Sequence, residues 1–227
     1  MSYRWLETSD KITYAILPQS LRANYYNLAA WVKPHTMGAT NNGTIIHHSG
    51  RPQFRFNGTA GSLKLQWSWL YSGNDPIWTL AGTFPLDKWV HLVVTHDTRN
   101  NSNKPTVYQN GVPIAVTTNV APSGTPELAG TGWIGSDGGT TRTWNGWMDD
   151  FAIWGGRILA PDEVKSVYLR GARSVVRNQL IYYPMRMVTD GQAKDLSGHD
   201  RHGTAVGLAA DPDNGFRGLN VGSQLIA

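Results

Sequence analysis

The stretch NGWMDDFAIWGG, residues 145 to 156, sets two adjacent carboxylates, Asp149 and Asp150, at the entrance to an apolar run. Read as a strand, MDDFAIW (148–154) sends successive side chains to opposite faces, so a regular strand keeps the two acids from one substrate bond. A glycosidase needs two carboxyl groups about 5 to 9.5 Å apart across a cleft. The glutamates, Glu7, Glu127 and Glu163, are too far apart in sequence to propose such a pair locally. A metal ligand or the polar edge of a core strand remains.

The flanking sequence repeats the strand pattern. NLAAWVKP (27–34), SLKLQWSWL (62–70) and KWVHLVVTHD (88–97) run or alternate apolar over strand lengths. TVYQNGVPIAV (106–116) reads as two short strands around Asn110-Gly111, a strong signal for a tight hairpin turn. Such strands, separated by Gly, Pro and Asn, predict an all-β sandwich or jelly roll of antiparallel sheets. One short helix is expected over APDEVKSVYLRG (160–171). Pro161 suits its first turn, acids follow, Val164, Val167 and Tyr168 share a face, and Gly171 can end it. Beyond it come a strand-like RNQLIYYPM and a turn-rich tail. About fifty residues are marginal as a separate domain. The body is therefore placed at 1–171, with 172–227 packing onto it and completing the same sandwich.

Composition agrees. Only 16% of the 227 residues are charged, against about 25% in an average globular protein, which suits strands and turns. Lys and Arg exceed Asp and Glu by 20 to 16. The bases are scattered apart from Arg170, Arg173, Arg177 and Arg186, so no nucleic-acid partner is expected. Without cysteine there is neither a disulfide framework nor a thiolate metal site. Met1 is followed by SYRWLETSDK, which lacks the apolar core of a signal peptide. No apolar run approaches membrane-spanning length. Synthesis in the cytoplasm and no membrane contact are the expectations.

GTGWIG (130–135) matches G-x-G-x-x-G, but it leads into another loop rather than a helix, so it is not a dinucleotide site. His199 and His202 fit a surface turn better than a metal pair. His91 and His96 are separated by an odd interval and face opposite ways along their strand. Trp67 and Trp69 alternate with Leu63 and Leu65, as core residues do. Trp78 and Trp144, the latter beside Arg142, lie in loop-like sequence. They read equally as platforms for a sugar or partner and as pins holding their loops to the sandwich.

Taken in order, LAAWVKP, KWVHLVVTHD, TVYQNGVPI, GWIGS, WNGWMDDFAIWGGRILAPDEV and VYLRG resemble the laminin-G-like, pentraxin-like branch of the concanavalin A-like lectin/glucanase superfamily. The resemblance spans roughly residues 25 to 171. It implies a jelly roll of two curved antiparallel sheets. It also implies that Asp149, in the family's Gly-x-hydrophobic-Asp-Asp/Glu strand, helps hold a structural Ca2+ while Asp150 faces away and anchors a loop. Members begin with an aromatic-Pro strand and Asp-x-Ser-Gly. Here that piece, LIYYPM…DLSGHDRHGT, comes last and puts Asp195 in the matching position. A truncated second repeat and a circular permutation both fit; permutation would let Asp195 share the ion of Asp149. The Glu-x-Asp-x-x-Glu strand of enzyme members is missing.

A non-catalytic structural or interaction module is thus expected. The first reading is a phage virion protein, a capsid decoration or tail-associated subunit that binds neighbouring virion proteins, surface glycans as well, and is compatible with a homo-oligomer. The alternative is a free-standing carbohydrate-binding lectin. A glycoside hydrolase ranks last.

Overall fold

The computed structural model describes residues 2–5, 10–14, 24–48, 52–58, 64–127 and 131–211. Glu7, Ser62, Leu63 and Gly130 of the motifs above lie outside them.

In chain order the first strands are β1 (Ser2–Trp5), β2 (Lys11–Tyr14), β3 (Tyr25–Pro34), β4 (Thr44–His48) and β5 (Gln53–Asn57). Next come β6 (Lys64–Ser68), β7 (Leu70–Tyr71), β8 (Ile77–Leu80), β9 (Val90–Asp97) and β10 (Thr106–Gln109). They are followed by β11 (Val112–Ile114), β12 (Val116–Val120), β13 (Pro126–Glu127), β14 (Gly132–Ile134) and β15 (Gly146–Gly155). After helix α1 (Pro161–Arg170) lie β16 (Gln179–Tyr183), β17 (Val188–Thr189), β18 (Gln192–Ala193), β19 (Gly203–Val206) and β20 (Ala209–Asp211).

Two large antiparallel sheets result. The first runs β11-β10-β9-β3-β15-β1-β20, with β16 also beside β15. The second runs β12-β8-β6-β5-β4-β14-β2-β19-β18-β17. β7 and β13 form a separate pair. Strands after residue 178 occupy places in both sheets: β16 and β20 in the first, β17, β18 and β19 in the second.

Between the sheets lies the main core. Leu28, Val94, Met148 and Ile153 of the first sheet meet Ile46, Phe54, Trp67 and Trp78 of the second. Fully burying a side chain of this size contributes about 1.5–3 kcal/mol, so the alternation of each strand is strongly enforced. The hairpin turn has the predicted form, with Asn110 at φ 52° and Gly111 at φ 77°, the twist that tight β-hairpins require. Its second half departs from expectation: Val116 leaves the hairpin and starts β12, which pairs with β8 in the other sheet.

The outer face of the first sheet carries α1. Val164 and Val167 of the helix pack with Ala29, Val93, Ala152 and Trp154, where the small alanines let the helix approach closely. Asn27 fastens the segment entering it: its Nδ2 donates to the Arg157 carbonyl at 2.7 Å and its Oδ1 accepts from Leu159 N–H at 2.9 Å. Glu163 accepts from Ala160 N–H at the helix start and pairs with Arg157, satisfying one of the helix's orphan donors. Gly171, at φ 84°, ends the helix where a side chain would be strained.

Strand β15 holds the main departure from a regular strand. Asp149 pairs with Trp31 and Ala152 with Ala29, so Asp150 and Phe151 together oppose Ala30 alone. This is a β-bulge, with Asp150 at φ 51°. The extra residue keeps two consecutive side chains outside between the inward Met148 and Phe151. The expectation that Asp149 and Asp150 face opposite ways is corrected: the bulge cancels the alternation, and both lie on the helix side.

Candidate functional site

Asp149 is 3% exposed. Burial pushes its carboxyl up to about 6; the Asp150 N–H bond opposes this, the Asp150 charge adds to it, and Arg186 pulls it down. Burial also raises Asp150, against the Ala172 N–H, the Tyr182 hydroxyl and Arg186. Tyr182 in turn is raised by burial and by the charge of Asp150. The bond from Ala172 N–H to Asp150 Oδ2 is 2.8 Å long, so Asp150 anchors the 3-10 turn Ala172–Ser174 that follows α1. The loop-anchoring expected of Asp150 is found, on the face opposite to the one expected.

Asp195 is occupied by its own loop. Oδ1 accepts from Tyr182 N–H at 2.9 Å and Ser197 N–H at 3.0 Å. Oδ2 accepts from Ser197 Oγ at 2.8 Å and Arg201 N–H at 2.9 Å. Leu196 N–H reaches the Tyr182 carbonyl and Arg201 the Leu180 carbonyl, so DLSGHDR caps the outer edge of β16. The charged groups acting on Asp149 include Asp150 and Arg186, and Asp195 is not among them. Among the described residues no three His, Asp or Glu side chains gather as a metal site. Calcium takes six to eight oxygens, and these two acids, four of whose lone-pair directions at Asp195 are already used, do not fit it.

Trp78 and Trp144 are both 1% exposed and neither offers a ring to solvent. Trp78 sits in β8, not in a loop; it alternates inward with Leu80 and stands edge-on to His96 at 5.0 Å. The Asn-Asp-Pro before it mimics a loop, but the strand begins at the next residue. Trp144 stacks on Phe56, centroids 5.2 Å apart. The platform reading is therefore corrected to the pinning one. Arg142 is exposed, 4.0 Å from Asp137.

On the outer face of the second sheet, opposite the side that packs on the core, Gln53 and Ser68 are buried and Thr13, His47 and Trp133 are half-buried. Register puts Thr13, Trp133, His47, Gln53 and Ser68 in one cross-strand row. Arg55, Gln66, Thr79 and Thr117 form a second. Trp133 is half-buried and lies beside His47, ring centroids 5.8 Å apart and planes 27° apart. The loop after β14 is clamped around this pair. His47 Nδ1 donates to the Asp137 carbonyl at 3.0 Å, and Lys11 Nζ to that of Gly138 at 3.3 Å. A Cβ on Gly138 would come 2.9 Å from the Trp133 ring, so only glycine lets the backbone lie there. Across the second row Asn57 donates to Gln66 at 2.9 Å, and Gln66 to Thr79 at 3.0 Å. Thr79 donates to Asn119. Gln53 Nε2 is buried and has no acceptor among the described residues.

An aromatic ring beside aligned amides and hydroxyls can stack on the C–H face of a sugar and bond its hydroxyls. Trp133 and His47 were not singled out in the sequence. A signal was available in GWIG, where Trp133 alternates with the core residue Ile134 between glycines.

The chain belongs to the concanavalin A-like lectin/glucanases superfamily, whose family model matches residues 7–165. Its fold is similar to that of a Bacteroides ovatus protein to which carbohydrate binding has been attributed. The TM-score is 0.69 at 17% identity, over 92% of this chain and 58% of that one. This chain thus spans little more than half of that protein's length. A heptameric SAP-like pentraxin from Limulus polyphemus matches with a TM-score of 0.52 at 18% identity, over 74% of this chain and 87% of that one. The CBM40 of the Ruminococcus gnavus IT-sialidase, solved with α2,3 sialyllactose, matches with a TM-score of 0.51 at 12% identity, over 74% of this chain and 98% of that one. A comparison with curated proteins finds no match.

Proposed function

We propose that this member of the concanavalin A-like superfamily is a non-catalytic carbohydrate-binding module whose ligand lies on the outer face of the second sheet. The observation that carries the reading is Trp133, half-exposed beside His47 and in register with the polar rows of β4, β5, β6 and β8. The other sheet is covered by α1; of its adjacent acids Asp150 is tied to the Ala172 turn and Asp149 to the Asp150 N–H, which supports binding over catalysis.

Support also comes from the relatives: carbohydrate binding is attributed to the Bacteroides protein, and the sialidase module was solved with a sialylated sugar. The virion expectation draws no support from these relatives, and glycan binding, its alternative, is the reading they favour.

The test is binding of the purified protein to a broad glycan panel, with and without a calcium chelator. Binding by the wild type that is lost in Trp133→Ala, with an unchanged thermal melt, supports the reading. Undiminished binding by that variant places the ligand elsewhere, and silence across the panel removes the function.

A further inference from the structure

We propose that strand β12 is a dimer interface, through which two copies of this chain join edge to edge as antiparallel neighbours about a two-fold axis at Thr117. The inference does not rest on the glycan reading. β12 ends the order of the second sheet, and among the described residues it pairs with β8 alone. Ala81 N–H donates to the Ala115 carbonyl at 2.9 Å. Alternation along the ladder then makes Thr117 the hydrogen-bonded partner of Thr79, and leaves Val116 and Thr118 in the positions between. In an antiparallel pair the N–H and C=O of those positions point away from the partner strand. The backbone groups of Val116 and Thr118 therefore face the open edge, and no bond to a described residue fills it.

An open edge is a template for another chain, and proteins blunt it with charge, proline or shortness. The other outer strands are blunted in these ways. β11 holds Pro113, β17 is two residues long and runs into Asp190, and β20 is three residues long and ends on Asp211. The DLSGHDR turn caps β16. β12 has none of these devices: its five residues, VTTNV, include neither charge nor proline, and no charged residue lies between Lys104 and Glu127. Thr117, Asn119 and Val120 are exposed, as is Val112 in the strand before.

The occupant that fits this edge is a second copy. The irregularity after Thr118 confines regular pairing to Val116–Thr118, a segment centred on Thr117. With Thr117 opposite its own copy, Val116 of each chain exchanges both backbone bonds with Thr118 of the other. The edge is thus complementary to itself, as a two-fold interface requires. Thr117 takes the non-hydrogen-bonded place, where facing side chains come closest. Two threonines meet there without repulsion, although each chain carries a net charge of +4. The outer-face row Arg55, Gln66, Thr79 and Thr117 then runs on into that of the second copy. One short strand pair makes a small interface, so the dimer should form reversibly in the micromolar range.

The test is sedimentation velocity of the purified protein over a series from low to high micromolar concentration, with thermal melts to show that each variant is folded. Wild type should pass from monomer to dimer across the series. Thr117→Lys and Thr117→Glu each set like charges face to face and should raise the dissociation constant about tenfold or more. An equimolar mixture of the two sets opposite charges face to face and should recover the dimer. Thr204→Lys, at an exposed position on β19 of the same sheet, should change nothing.

A folded wild type that stays monomeric throughout overturns the inference. So does a dimer indifferent to both charges at Thr117, or a mixture that associates no better than either variant alone. Assemblies larger than a dimer overturn it as well, because a two-fold edge closes on itself.

Discussion

Asp150 stands on the same side of strand β15 as Asp149 and donates its backbone N–H to the Asp149 carboxylate at 2.8 Å. A bulge that places Asp150 at φ 51° brings this about. Asp149 is thereby buried and Asp150 half-buried beside it, with Arg186 the cation that acts on both.

That placement has a pH signature. The Asp149 carboxyl is raised from 3.8 to about 6, so its contribution to stability is full below pH 3.8 and is lost as pH rises through 6. By linkage the loss approaches about 3 kcal/mol. Asp149→Asn keeps an oxygen for the Asp150 N–H and carries no charge. It should remove this slope and raise stability at pH 7 by about 1–3 kcal/mol. Urea unfolding at pH 4, 6 and 8 measures both; a variant less stable than wild type at pH 8 rejects the account.

His91 acts with the opposite sign. It is fully buried between Trp31 and Tyr168, at 5.0 and 5.6 Å, and neither ring nitrogen has a hydrogen-bond partner among the described residues. Burial lowers it from 6.5 to about 3, and His96 to about 4. The neutral forms fit the fold, so stability is complete above pH 6.5 and falls as acid protonates the unfolded chain. His91→Phe keeps a ring in the stack and removes the titration. At pH 5 it should gain about 2 kcal/mol relative to its effect at pH 8. Equal effects at the two pH values would show that His91 does not titrate on unfolding.

The tryptophans should divide by role. Trp78→Ala and Trp144→Ala remove core rings and should each cost about 3–5 kcal/mol. Trp133→Ala removes a half-exposed ring, should cost about 1 kcal/mol or less, and should abolish glycan binding. Thermal melts and glycan titrations on the three variants give the split. Large destabilisation by Trp133→Ala would make that ring structural.

Asp195→Ala strands four donors, including Tyr182 N–H and Arg201 N–H. Breaking such a buried network should cost about 3 kcal/mol or more. Because its oxygens are spent on those donors, the cost should be the same in calcium and in chelator. A melting temperature of the wild type that drops on chelation would restore a metal to this region.

Much of the fold was legible because hydrophobic periodicity is local. The strand alternation, the Asn110-Gly111 turn and the Pro161-to-Gly171 helix each depend on neighbours a few residues away. The site was less legible. Trp78 and Trp144 read equally as platforms and as pins because turn residues surround them; their rings fill space between the sheets. Trp133 was hidden inside a motif dismissed on other grounds, and its partner His47 is distant in sequence.

Sequence alone determined the class of fold, an antiparallel sandwich with one helix. Tertiary structure decided where each acid and ring faces. One extra residue opposite Ala30 turned Asp149 and Asp150 to the same side. The register of β14 on β4 brought Trp133 beside His47. Pairing between distant strands sets both, because the side-chain period of two makes a one-residue shift reverse every face.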